Sequence, residues 1–225
     1  MVDIIIYIEG AGNINDPAAL TTDNSAVFRE NFHKLFSQQL SPTKFNLMIR
    51  PFGSVTQARN RLECIEKQGM NAVLLIDLDG PKEKRKARLQ YYEPFDTEKI
   101  FFMIQEMEAW ILSQPDKIEE FGEIQGLTRK RAGGSINNNP LLKGKHPEQL
   151  SRPSGKLATI FKQYFDVVKV RRNKERTMGK RYSKTKDGPK LIGLLELNRL
   201  MECFDEAKRL ISYVERQSEI KSNVF

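Results

Sequence analysis

Two short apolar runs that each stop at a carboxylate constrain this chain more than any other feature. Asp3–Ile8 (DIIIYI) leads into Glu9, and Asn71–Ile76 (NAVLLI) leads into Asp77-Leu78-Asp79-Gly80. Runs this short and this rich in branched side chains suit strands buried on both faces. They fall far short of the ~20 residues of a membrane span. Lys44–Ile49 and Ile100–Ile104 read as two further strands. Helical patterns lie between them. Asn24 or Ser25 caps one, with Val27, Phe28, Phe32, Leu35 and Phe36 on a single face. Ser54 opens another through Val55, Ala58, Leu62 and Ile65, and Gly69 closes it. Strands alternating with helices in this way predict an α/β fold with a mostly parallel sheet. In such sheets functional groups gather beyond the carboxyl ends of the strands, which is where Glu9, Asp77 and Asp79 stand.

The second half reads differently. Helices at Glu106–Leu112 and Pro115–Phe121 are followed by a Gly-, Asn- and Pro-rich stretch from Gly122 to Gly155, and helices return at Gly155–Phe165 and Asp205–Glu215. The expected organisation is a core over residues 1–122 and a basic, mainly helical extension over 123–225, packed on the core or completing it. Formal net charge is +8, yet residues 129–190 alone hold 18 Lys/Arg against 4 Asp/Glu. A tract this basic points to a polyanion, most commonly nucleic acid; the competing reading is a solvated loop. Lys169–Lys190 is densest, with ten Lys/Arg and Tyr182 as its one aromatic residue. That composition favours contact with the phosphate backbone over base stacking. The candidate contacts are Arg171, Arg172, Lys174, Arg176, Lys180 and Arg181 there, and Lys82, Lys84 and Arg85 directly after Asp79.

Residue types narrow the chemistry. Two cysteines, Cys64 and Cys203, are too few for a disulfide framework or a structural zinc site, and two histidines, His33 and His146, leave little for imidazole catalysis. The start of the sequence reads as a buried strand, not a signal peptide, so a cytoplasmic protein without membrane segments is expected. Chemistry then rests on carboxylates. In an extended backbone Asp77 and Asp79 face the same side and can share one hard divalent cation, Mg²⁺ or Mn²⁺, with Glu9 as a further ligand or a general acid or base. Gly10-Ala-Gly12 imitates half of a dinucleotide-binding loop, but the third glycine is missing and the acid sits on the first strand.

IIIYIEG followed by LLIDLDG resembles the Toprim fold, the metal-dependent catalytic domain of topoisomerases, primases and the overcoming-lysogenisation-defect nucleases. That fold places a Glu after its first strand and a DxD after its third, matching Glu9, Asp77 and Asp79. Nearly the whole chain is similar to a bacterial Toprim-like family related to these nucleases. The likeness runs through YIEGAG, MIQEMEAW (Met103–Trp110), HPEQLSRPSGKL, KRYSKTKDG and a closing helix. It implies a Toprim-like Rossmannoid sheet and a Mg²⁺- or Mn²⁺-dependent endonuclease, the effector of an anti-phage defence system controlled by an ABC-type ATPase encoded beside it. It also carries over Lys156, Tyr182 and Lys184 as matching positions. In a nuclease, Lys156 or Lys184 would stabilise charge building on the phosphate. Members of the lysogenisation-defect group carry a second acid a few residues after the first-strand Glu. Here Ala11, Gly12 and Asn13 occupy that stretch and Asp16 is the nearest acid. Glu108 is the candidate replacement; its other reading is an acid favouring the helix dipole. A rival function on the same fold is a non-catalytic nucleic-acid-binding or regulatory subunit, and either could be a homodimer.

Overall fold

A computed structural model describes residues 1–10, 25–53, 55–130, 134–171 and 174–222. The four apolar runs become β1 (Val2–Glu9), β2 (Phe45–Phe52), β3 (Ala72–Asp77) and β4 (Ile100–Met103), an all-parallel sheet in the order β2-β1-β3-β4. Strand parity divides their side chains between two apolar layers. Ile4, Ile6, Ile8, Val73, Leu75, Phe101 and Met103 pack with Phe28, Phe32, Leu35 and Phe36 of α1 (Ser25–Phe36). On the opposite face Ile5, Tyr7, Leu74, Ile76, Ile100 and Phe102 pack with Ala58, Leu62 and Ile65 of α2 (Val55–Lys67). Both faces are covered, which is why the runs carry no polar alternation. The chain leaves β1 toward β2 on one side and returns to β3 on the other. The sheet therefore reverses its winding between the carboxyl ends of β1 and β3, the place where open α/β sheets hold ligands.

After β3 come α3 (Arg85–Gln90), α4 (Met107–Leu112), α5 (Pro115–Ile124) and the two-residue strand β5 (Thr128–Arg129). Then follow α6 (Pro153–Tyr164), β6 (Phe165–Arg171), β7 (Lys174–Gly179), α7 (Asp187–Ile192), α8 (Leu197–Cys203) and α9 (Asp205–Ser222). The basic run beyond Val168 is thus partly an antiparallel hairpin, β6–β7, with β5 on its other edge. The extension shares the α1-side core: Leu157, Ile160 and Phe161 of α6, Leu191 and Ile192 of α7 and Leu210 and Ile211 of α9 belong to the same buried cluster. Trp110 is fully buried there, 6.2 Å from the Phe204 ring. Among the described residues no helix is long and apolar enough to cross a membrane.

The free edge of β4 is closed by side chains of α9. Glu206 accepts the Phe102 N–H at 3.1 Å, and Arg209 donates to the Ile100 carbonyl at 2.5 Å while lying 4.2 Å over the Phe101 ring. Arg85 adds a 2.7 Å bond to Glu206. A helix carboxylate and guanidinium thus replace the hydrogen bonds of a further strand, leaving no open edge there for another chain to pair with. Glu206→Ala removes the buried acceptor of two arginines and a strand amide. We expect a loss of about 3 kcal/mol in urea unfolding, whereas Asp205→Ala, which loses an exposed pair with Lys82 and an acid in the first turn of α9, should cost under about 1 kcal/mol.

Candidate active site at the carboxyl ends of β1 and β3

Glu9, Asp77, Asp79, Glu108 and Lys184 come together where the sheet reverses. Glu9 ends β1, and its Oε2 accepts the backbone N–H of Asp77 at 3.1 Å, tying the two strand ends. Asp77 ends β3 with its side chain buried. One of its oxygens, Oδ1, accepts the Met107 N–H that opens α4 at 2.9 Å; the other, Oδ2, lies 3.3 Å from the Lys184 ammonium. Glu108, one residue into α4, has no exposed surface. Its Oε1 accepts the Tyr182 hydroxyl at 3.0 Å, and its Oε2 lies 3.5 Å from the same ammonium, with no hydrogen-bond partner. Each carboxylate therefore has one oxygen held by the protein and one turned to a shared cation.

The cation is delivered by the loop between β7 and α7. Asp187 is buried and accepts both the Lys180 ammonium at 2.7 Å and the Ser183 N–H at 2.8 Å, which folds residues 180–187 back on themselves. Tyr182 and Lys184 are thereby presented to Glu108 and Asp77. Gly188 completes the fit, since a Cβ there would stand 2.7 Å from the Tyr182 hydroxyl and 2.9 Å from the Met107 methyl. Glu106 borders the cluster and accepts the Ser154 N–H at the start of α6.

Burial sets the electrostatics. It pushes the Asp77 carboxyl up to about 7, against the pull of Lys184 and with the added repulsion of Glu9, Glu108 and Asp79. Burial raises Glu108 as well, again opposed by Lys184. For Lys184 burial acts against the charge, but Asp77 and Glu108 outweigh it and hold the ammonium above its ordinary value. The Tyr182 hydroxyl is raised by burial and by the adjacent Glu108 charge. It is a hydrogen-bond donor here, not a source of protons.

The extended geometry expected of Asp77-Leu78-Asp79 is not what the chain adopts. β3 stops at Asp77, Leu78 is buried, and Asp79 takes φ +53°, which turns its exposed side chain toward Arg88 at 4.0 Å. Asp79 thus stands at the rim of the cluster. Lys156 is not brought to the carboxylates: its ammonium returns to the Ser151 carbonyl and hydroxyl at the start of α6. Of the basic candidates after Asp79, Lys82 pairs with Asp205 and Arg85 with Glu206, while Lys84 folds over Gly80. Lys180 pairs with Asp187; Arg176 on β7 and Arg181 after it are exposed. Arg172 and Asp16 lie outside the described residues, as do the side chains of Arg171 and Lys174. Asp187 and Glu106 were not anticipated from the sequence, where a buried acid looks like any other. The dense basic surroundings of Asp187 were its one signal.

The raised Asp77 carboxyl has a consequence for stability. Between the ordinary carboxylate value near 3.9 and about 7, the folded chain keeps a proton that the unfolded chain has released. Stability should therefore fall as pH rises through that window and level off above it. Asp77→Asn removes this titration. In urea melts with a chelator present, the variant should match the wild type near pH 4.5. At pH 8 it should exceed it by an amount on the order of a few kcal/mol. A wild type that gains stability across the same window would refute the buried-carboxylate account.

No curated protein and no solved structure matches the chain. A family model described as a domain of unknown function, DUF4276, matches residues 22–215. That span takes in Asp77, Asp79, Glu108, Tyr182, Lys184 and Asp187 and begins after Glu9. By this match the chain belongs to the DUF4276 family.

Proposed function

We propose that the chain is a divalent-metal-dependent nuclease that hydrolyses phosphodiesters, with Asp77 and Glu108 at its centre and Glu9 and Asp79 at the rim. The observation that carries this reading is the pair of buried carboxylates at the sheet's switch point, each turning one oxygen to a common cation. Among the described residues no three His, Cys, Asp or Glu side chains form a ready-made metal cage. Mg²⁺ does not require one, since it commonly takes one or two carboxylates and fills its shell with water and substrate phosphate. Asp77 Oδ2 and Glu108 Oε2, the latter buried without a hydrogen-bond partner, are donor atoms suited to Mg²⁺ or Mn²⁺. The ion would supply charge to polarise the phosphate and a water of lowered pKa.

The chain's own residues do the rest. The Met107 N–H and the Tyr182 hydroxyl fix the two carboxylates, so neither rotates away from the shared position. Lys184, half exposed on a flexible stem, can swing from the carboxylates to a phosphate oxygen and hold charge that develops there. Glu9, at the end of β1, would take a proton from an attacking water. The polyanion partner is nucleic acid, and the exposed Arg176 and Arg181 suit its backbone. Control by a partner ATPase in anti-phage defence, implied by the Toprim-like resemblance, belongs to the same proposal.

A second reading keeps the fold without catalysis, as a nucleic-acid-binding or regulatory subunit. It is favoured by the way Lys184 already neutralises Asp77 and Glu108. Single- and double-stranded DNA and RNA incubated with Mg²⁺ or Mn²⁺ separate the two. The nuclease reading expects cleavage that Asp77→Asn or Glu108→Gln lowers about a thousandfold, the rate equivalent of several kcal/mol of lost charge stabilisation, with circular dichroism unchanged. Binding without cleavage by the wild type would favour the regulatory subunit. Full activity in either variant would remove the proposed centre.

A further inference from the structure

We propose that the free edge of β2 carries a second phosphate-binding site, which holds the backbone of a nucleic-acid strand as it passes toward the carboxylates. β2 is the edge of the sheet opposite β4. A cleft of about 640 Å³ wraps it, lined by Tyr7 of β1, Arg29 and His33 of α1, Arg50 of β2 and Arg61 of α2, with Glu30 as its one carboxylate. Several arginines elsewhere are neutralised within the fold. Arg85, Arg129, Arg199 and Arg209 each pair with an acid. In the cleft, Arg29 donates to the Ser25 hydroxyl and Arg61 lies 4.7 Å over the Tyr7 ring. Among the described residues neither of these, nor the exposed Arg50, forms an ion pair. Three unpaired guanidiniums in one cleft make an anion site, because the guanidinium fork matches phosphate oxygens in a bidentate way.

The ligand's class follows from what else the cleft offers. Tyr7 is almost fully buried beneath Arg61, which leaves His33 as the one exposed ring among the lining residues, against three guanidiniums. The chemistry selects backbone phosphates and reads no sequence. Position supplies the link to the carboxylates. The β1–β2 register pairs Tyr7 with Arg50 and Glu9 with Phe52, so Arg50 and Glu9 share a sheet face two residues apart. That is ~7 Å along the strands, about two nucleotide steps at the ~3.4 Å spacing of a stacked strand. Calling the bound strand a substrate rests on the nuclease reading; the phosphate site itself does not.

The test measures binding of a labelled single-stranded oligonucleotide to the full chain by fluorescence anisotropy, with metal chelated, across a salt series. Arg50→Ser combined with Arg61→Gln removes two phosphate contacts. Affinity should fall about tenfold near 0.15 M salt, and the log–log salt slope should become shallower by about 1.4, at ~0.7 per contact. The loss should be similar for every sequence tested. Arg50→Lys with Arg61→Lys keeps the charge and should keep the slope. Should the first double variant unfold, Arg50→Glu alone, at an exposed position, must weaken binding and flatten the slope. Unchanged affinity and slope would overturn the site and leave the arginines as guards against edge pairing, as would a wild type that binds no oligonucleotide. Because metal is chelated, binding is scored apart from cleavage. A chain that binds through these arginines and never cuts keeps the site and loses the nuclease reading. A chain that cuts as before, with the double variant binding unchanged, does the reverse.

Discussion

A carboxylate with no exposed surface, Glu108, is the constraint around which this molecule is arranged. Burying it beside the nearly buried Asp77 places two like charges in a region of low dielectric, a costly arrangement unless each is hydrogen-bonded and offset by a cation. The compensation comes from far along the chain. Tyr182 is 74 residues from Glu108, and Lys184 is 107 from Asp77. Their loop is held in shape by a third buried acid, Asp187, through Lys180 and Ser183. The demand for counter-charge at the end of β3 thus fixes the loop that precedes α7. With it, the second half of the chain closes over the sheet's switch point.

The same logic recasts the charge asymmetry. A tract so basic suggests a surface given wholly to a polyanion, yet part of its charge is engaged inside the fold. Arg129 pairs with Glu119, Lys130 with Asp166, Lys180 with Asp187, and Lys184 with both Asp77 and Glu108. At the other end of the sheet Arg85 and Arg209 converge on Glu206 to close the β4 edge. Counting Lys and Arg therefore overstates the binding surface, and the useful quantity is which cations lack an internal partner. By that measure the arginines along β2, which composition does not single out, are as available to an anion as Arg176 of the hairpin.

The central sheet was legible because its strands are buried on both faces. The apolar runs Asp3–Ile8, Lys44–Ile49, Asn71–Ile76 and Ile100–Ile104 meet β1 to β4 within a few residues. Glu9 and Asp77 could be placed for the same reason, since a strand that needs no polar face can afford an acid only where it leaves the core. The β6–β7 hairpin was hidden because its strand pattern is overlaid with charge, and cross-strand neighbours such as Lys169 and Arg176 bear the same sign. Asp187 and Glu206 were illegible in a different way. Each stands in the first turn of a helix, and only the distant partners reveal that they are buried anchors.

The largest departure from the sequence reading, the turn at Asp79, also explains how the site is assembled. Asp79 and Gln105 both adopt left-handed backbone angles, φ +53° and +65°, conformations that cost ~1–3 kcal/mol each for residues other than glycine. They are held because β3 and β4 go on bonding past their ends. Leu78 donates to the Met103 carbonyl, Asp79 to that of Gln105, and Gln105 to that of Gly80. Gln105 also reaches across to the Glu148 carbonyl. A regular continuation of both strands would carry residues 105–107 onward beside Asp79. The double turn instead brings α4 back over the end of β3, so that the Met107 N–H meets Asp77 Oδ1. Oδ1 is thereby engaged by the backbone, and Oδ2 is the oxygen that faces the Lys184 ammonium. The turns at Asp79 and Gln105 thus leave the central carboxylate with Oδ2 turned outward, to the Lys184 ammonium that Glu108 Oε2 also faces.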